Sequence, residues 1–172
     1  MKLMIKEEFS NSNGTIADFM REIKDIYAKY FPNSSCSVSF KNTIGEYNIY
    51  IACYLAKNSS EVSNGIMGND IFHVMFDIPL TRKETNKEDA MPEDIELVAY
   101  HNTIRVKPEN SYMFCSSLKV PFRKTKGTPD KVLKAFDKFV QRLYNTLKEQ
   151  VDNNNLLDTK ANNDMALAKS KL

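Results

Sequence analysis

Residues 111–148 read SYMFCSSLKVPFRKTKGTPDKVLKAFDKFVQRLYNTLK. The first part of this stretch alternates with a period of two. Tyr112, Phe114, Leu118, Val120 and Phe122 share one face, with Ser116 as a polar break, while Met113, Cys115, Ser117, Lys119 and Arg123 share the other. Such alternation predicts a half-buried strand running from Ser111 to Arg123. Pro121 has no N–H to give to a ladder, which places that strand at a sheet edge. A basic loop, residues 124–127, then leads into Thr128-Pro129-Asp130. Those three residue types suit the N-cap, the first helical position and the positive dipole end of a helix. Beyond them Val132, Leu133, Phe136, Phe139, Val140, Leu143, Tyr144 and Leu147 fall on one helical stripe, and the pattern fades near Asp152. Strand, loop and helix in this order predict a helix packed across an antiparallel sheet.

The rest of the chain extends the same architecture. Thr15 is a candidate cap for a helix over residues 16–30, whose apolar positions Ile16, Phe19, Met20, Ile23, Ile26, Tyr27 and Tyr30 have helical spacing. Alternating segments follow at residues 36–40, 47–56, 72–78 and 95–106. The first two are joined by a short turn containing Gly45, and a break at His101-Asn102 would make the last a hairpin. The segment 47–56 is apolar on both faces, with Tyr50, Ala52, Tyr54 and Ala56 opposite the core set; such a strand is expected in the middle of a sheet with both faces covered, the second by helices or by a partner subunit. Residues 81–94 form the longest stretch without periodicity. The fold expected is therefore α+β: an antiparallel sheet of about five or six strands, an N-terminal and a C-terminal helix packed on it, and flexible arms at both ends. Residues 1–13 read as an N-terminal arm, 14–151 as a single domain and 152–172 as a polar tail.

Composition narrows the function classes without choosing one. The chain has 172 residues, 42% hydrophobic and 27% charged, with a net charge of +2. One soluble domain fits that size and balance. A charge this small gives no global attraction to nucleic acid, so any basic patch is local. An Asn- and Lys-rich chain without Trp accords with AT-rich coding DNA, as in many phages and low-GC bacteria. No apolar run reaches the roughly 18 residues of a membrane span, and the first residues do not read as a signal peptide. A cytoplasmic or virion location, not secretion, is expected, and the sequons at Asn13, Asn33 and Asn58 then carry no meaning. The terminal Ser170-Lys171-Leu172 matches a peroxisomal address.

Chemistry-bearing motifs are sparse. Cys36, Cys53 and Cys115 are odd in number and lack C-x-x-C spacing; they read as small hydrophobes or free thiols. The two histidines, His73 and His101, have no partner at ligand spacing, so neither a metal nor a cofactor is expected. A Cys-His nucleophile pairing, such as Cys115 with His101, is geometrically possible across neighbouring strands. Glu7-Glu8 and Glu93-Asp94 read as solvated charges. No phosphate-binding glycine loop occurs. The chain is not expected to be an enzyme.

Two surfaces remain as candidates. Lys119, Arg123, Lys124 and Lys126, with Lys131, Lys134, Lys138 and Arg142 on the outer helix face, would contact nucleic acid or an acidic partner if they converge. Tyr50 and Tyr54 would form an interface if the second sheet face is open. The leading expectation is a non-enzymatic structural protein that forms a homo-oligomer and meets other assembly proteins, as in the head–tail or tail parts of a phage virion. A nucleic-acid-binding protein, with single strands as its ligand, is the alternative. A small inhibitor of a host defence protein is a third.

Overall fold

A computed structural model of the chain describes residues 14–56, 70–80, 90–106 and 116–153. The N-terminal arm, residues 81–89 of the aperiodic stretch, residues 111–115 of the long predicted strand and all but the first two residues of the tail lie outside the described residues, as do the side chains of Tyr54 and His73.

Helix α1 spans Ile16–Tyr30, and the hydroxyl of Thr15 accepts from the Asp18 N–H at 3.1 Å. Helix α2 spans Pro129–Asp152, capped in the same way by Thr128, with Pro129 in its first turn. Six strands lie between them: β1 Ser35–Thr43, β2 Glu46–Ala56, β3 Asp70–Pro79, β4 Ile95–Val106, β5 Ser116–Lys119 and β6 Thr125–Gly127. All pairings are antiparallel, in the order β1-β2-β3-β4-β5, with β6 also on β4. The β1–β2 hairpin turns through Ile44 and Gly45, and the φ of +94° at Gly45 is one that side-chain-bearing residues rarely adopt. The α+β architecture read from the sequence is the one observed.

Both helices lie on one side of the sheet, where α1 meets β1, α2 meets β4 and β6, and the helices meet each other. Phe76, in the central strand β3, lies edge-on to Phe136 and Phe139 of α2 at 5.6 and 5.1 Å between ring centroids. Ile49, Ile51, Leu55, Val74, Ile78, Leu97 and Ile104 complete the sheet's contribution to a core shared with Phe19, Ile23, Ile26, Leu133, Leu143 and Leu147. Each such side chain contributes about 1.5–3 kcal/mol by leaving water. A polar clamp fastens the helices outside this core. Lys29 reaches both carboxylate oxygens of Asp137 at 2.9 Å, and the Tyr30 hydroxyl donates to the same group.

Strand β4 covers the residues 95–106 read as a strand from the sequence, without the optional hairpin break at His101-Asn102. It is one strand carrying a bulge: Met75 pairs with His101 but Phe76 pairs with Ala99, so Tyr100 is the extra residue. Before the bulge the odd residues Ile95 and Leu97 are buried, and after it the even residues Asn102 and Ile104 are. A one-residue insertion flips the side-chain phase, which keeps Ile95 and Leu97 before it and Ile104 after it on the helix side and leaves both Tyr100 and His101 outward.

The neighbouring segment makes the same shift. The long strand expected up to Arg123 instead ends at Lys119, and residues predicted as a loop, Thr125–Gly127, form β6. Register against β4 is nevertheless preserved: Lys119 to Thr125 is as long a step as Thr103 to Leu97. The Val120 N–H still donates to the Asn102 carbonyl at 2.7 Å, and the Asn102 side-chain amide turns back to the Val120 carbonyl. Pro121 then offers no donor, and the chain leaves the ladder. Phe122 tucks under the sheet against Phe76 and Phe139, and an Arg142 N–H donates to the Pro121 carbonyl. The strap rejoins β4 in the opposite phase. At its end Gly127 has a φ of +154°, and a Cβ there would lie 2.6 Å from the Lys131 side chain.

Strand β2 lies inside the sheet between β1 and β3, and the described helices cover only its Ile49–Leu55 face.

Asn102 is 8% exposed, and its amide holds the last ladder residue before the strap. Asn102→Ala leaves the buried Val120 carbonyl without a donor, and we expect a loss of about 1–3 kcal/mol, read from the urea midpoint of the folded chain.

Candidate interaction surface

The sheet face turned away from the helices is built by register. Ser37, Ala52, Met75 and His101 lie in one cross-strand row, and Ser39, Tyr50, Asp77 and Val98 in the next. Alternation sends these residues outward because their neighbours Val38, Ile51 and Phe76 point into the core. The bulge adds Tyr100, which is 57% exposed and, with Ile44, one of two large apolar side chains described as exposed.

Asp77 is the centre of this face. It sits in the middle of β3, is only 8% exposed, and is held from two sides. The Asn48 amide donates to its Oδ1, and the Tyr100 hydroxyl donates to its Oδ2 at 2.9 Å. Alternation from the inward-facing Ile95 and Leu97 already turns Tyr100 outward, and the bulge leaves it unpaired beside Asp77. Burial, followed by the hydrogen bond to Asp77, pushes the Tyr100 phenol above its usual range. Burial also raises Tyr50, partly opposed by the Lys41 ammonium, whose Nζ lies 5.2 Å from the ring centroid and 3.5 Å from Glu46 Oε2. Oδ1 of Asn48 is buried without a donor. The result is a shallow surface with an anionic, hydrogen-bonded centre and a surround of Tyr50, Ala52, Met75, Val98 and Tyr100.

The basic residues singled out from the sequence do not converge. Lys119 pairs in register with Thr103, and Lys126 with Glu96, so both belong to the open face. Lys124 is ion-paired to Glu96, and Lys126 lies 3.8 Å from Asp94. Arg142 is engaged with the Pro121 carbonyl. Lys131, Lys134 and Lys138 lie on the outer face of α2, on the other side of the sheet, where Lys134 is near enough to Asp130 to draw its carboxyl down against the upward push of burial. Arg123 is exposed on the strap. Eight cations thus divide between two sides of the molecule, and two of them are already neutralised. Of the interface pair, Tyr50 is on the open face; the Tyr54 side chain lies outside the described residues.

Among the described residues no group of three or more His, Cys, Asp and Glu side chains is placed to hold a metal. No helix there is long and apolar enough to cross a membrane. Comparison with protein families, curated proteins and solved structures finds no match. Sequence reasoning missed Asp77, Asn48 and Tyr100. Asp77 carried a signal, since a carboxylate between Phe76 and Ile78 in an otherwise apolar strand calls for a partner. Tyr100 carried part of one, since alternation from Ile95 and Leu97 turns it outward, but its approach to Asp77 depends on the pairing of β4 with β3.

Tyr100→Phe removes one donor to Asp77. The tyrosine is largely solvated, so we expect a loss at the low end for such a bond, about 0.5–1.5 kcal/mol at neutral pH. The pH dependence follows from the raised phenol. A group raised in the folded state contributes fully below its unfolded pKa of about 10 and loses that contribution as pH climbs through the folded value. The stabilities of Tyr100→Phe and the parent, measured in urea from pH 7 to 11, should therefore differ at neutral pH and converge above pH 10.

Proposed function

We propose that this protein is a non-enzymatic assembly protein that associates with copies of itself through the open face of its sheet. The observation that carries this reading is one-sided coverage: both helices pack on a single face, leaving Tyr50, Ala52, Met75, Val98 and Tyr100 together on the other. Isolated apolar side chains on a surface are ordinary, but a contiguous set around a satisfied polar centre marks an interaction site. Tyrosines supply large contact area at low entropic cost, and the Asp77 group gives the face a fixed register for a partner. The Asn-rich, Trp-free composition suits a component of a larger particle, such as a phage virion.

A second reading rests on Lys131, Lys134 and Lys138, which repeat at helical spacing along the exposed side of α2. They would track a phosphate backbone. The division of the other cations between two sides favours the assembly reading over this one.

Size-exclusion chromatography with light scattering tests the proposal. The full chain should elute as an oligomer, and Met75→Glu, which places an unpaired charge in the apolar surround, should shift it to monomer with an unchanged circular dichroism spectrum. A monomer at every concentration, or an oligomer indifferent to Met75→Glu, contradicts it. In parallel, salt-dependent binding of a labelled single-stranded oligonucleotide at low salt, lost in the Lys131→Glu/Lys134→Glu/Lys138→Glu variant, would favour the second reading.

A further inference from the structure

Cys36 and Cys53 face each other across β1 and β2. They are partners in the ladder register, and their sulfurs are 3.6 Å apart. Directly opposed residues of antiparallel strands have Cα atoms about 4.5–5.5 Å apart, within the range of about 4.4–6.8 Å that a disulfide spans. Closing the remaining gap needs side-chain rotation rather than movement of either strand. The two thiols differ in access. Cys53 is 1% exposed, and burial, with the neighbouring Cys36 sulfur, pushes its thiol well above the usual range. Cys36 is half-buried at the edge of the core. A partly exposed sulfur that a small disulfide can reach, with a second sulfur directly behind it, is the arrangement that thiol–disulfide exchange requires.

We propose that Cys36 and Cys53 form a reversible cross-strand disulfide that staples the edge strand β1 to β2 in response to small-molecule disulfides such as oxidised glutathione. The Cys36 thiol gives its proton to solvent, and the thiolate attacks one glutathione sulfur and expels the first glutathione thiolate, which takes up a proton, leaving a mixed disulfide. Cys53 then gives up its proton to solvent and attacks the Cys36 sulfur, expelling the second glutathione thiolate, which takes up a proton. Two protein thiols are oxidised to one disulfide, and one glutathione disulfide is reduced to two thiols. The staple matters for β1 because, among the described residues, a sheet neighbour holds it on only one side.

The test uses the full chain carrying Cys115→Ser, so that only this pair reports. The folded protein is equilibrated with oxidised and reduced glutathione, quenched in acid, denatured, alkylated and weighed intact. The expected product is unalkylated, lighter by two hydrogens, free of bound glutathione, reversed by excess reduced glutathione, and higher in thermal midpoint than the reduced form. Adding Cys36→Ser should leave Cys53 unmodified under the same conditions. A product that stops at a glutathione adduct, a pair that stays fully alkylated, a disulfide that forms only in denaturant, or ready glutathionylation of Cys53 in the Cys36→Ser variant would each overturn the proposal.

Discussion

Phe76 is where three separate pieces of chain have to meet. Its ring takes edge contacts from Phe136 and Phe139 of α2 and from Phe122 of the strap, at centroid distances of 5.1–5.6 Å. Phe122 and Phe139 are also edge-on to one another at 5.4 Å. Edge-to-face rings of this kind attract beyond the area they bury. The central strand, the last helix and the segment between them are thereby fixed together, and that fixes which side of the sheet is packed. Helix α1 completes the packed side, with Phe31 against Tyr144 and the Lys29–Tyr30–Asp137 clamp at the boundary. With both described helices committed to one side, neither of them covers the other.

Much of this was legible in the sequence, and what was not has a common cause. The helices were readable because their caps are local: Thr15 and Thr128 each serve the N–H three residues on. The hairpin at Gly45 and the apolar phase of β3 were readable for the same reason. The phase shift was not. Ile95 and Leu97 alternate in one sense and Ile104 in the other, with Tyr100 and His101 between them, and that pattern fits a turn as well as a bulge. Strand β3, far away in sequence, decides between them by pairing on both sides of Tyr100. The break at Pro121 was signalled as an edge feature. That the chain would rejoin β4 in register through Thr125–Gly127 depended on β4 having shifted as well.

The candidate surface follows the same logic. The outward direction of Tyr50 could be read from alternation. The convergence of Asn48, Asp77 and Tyr100 could not, since it joins three strands and uses the bulge residue as a donor. The basic strand end looked like a patch in sequence because Lys119, Arg123, Lys124 and Lys126 are close together along the chain. The phase shift, the strap and the acidic partners Glu96 and Asp94 disperse it. What sequence proximity suggested as a charged site, the sheet distributes over two surfaces, while distant residues assemble the Asp77 centre.

The most direct measurement of where this protein makes contacts is hydroxyl-radical footprinting read by mass spectrometry across a dilution series. If the open face is the association surface, oxidation of Met75 and Tyr100 falls as concentration rises, while Tyr144, on the helix side, is unchanged. Constant oxidation of Met75 and Tyr100 over a range in which the mass of the particle increases, with protection appearing instead along Lys131–Lys148, would show that the open face is not the one that binds.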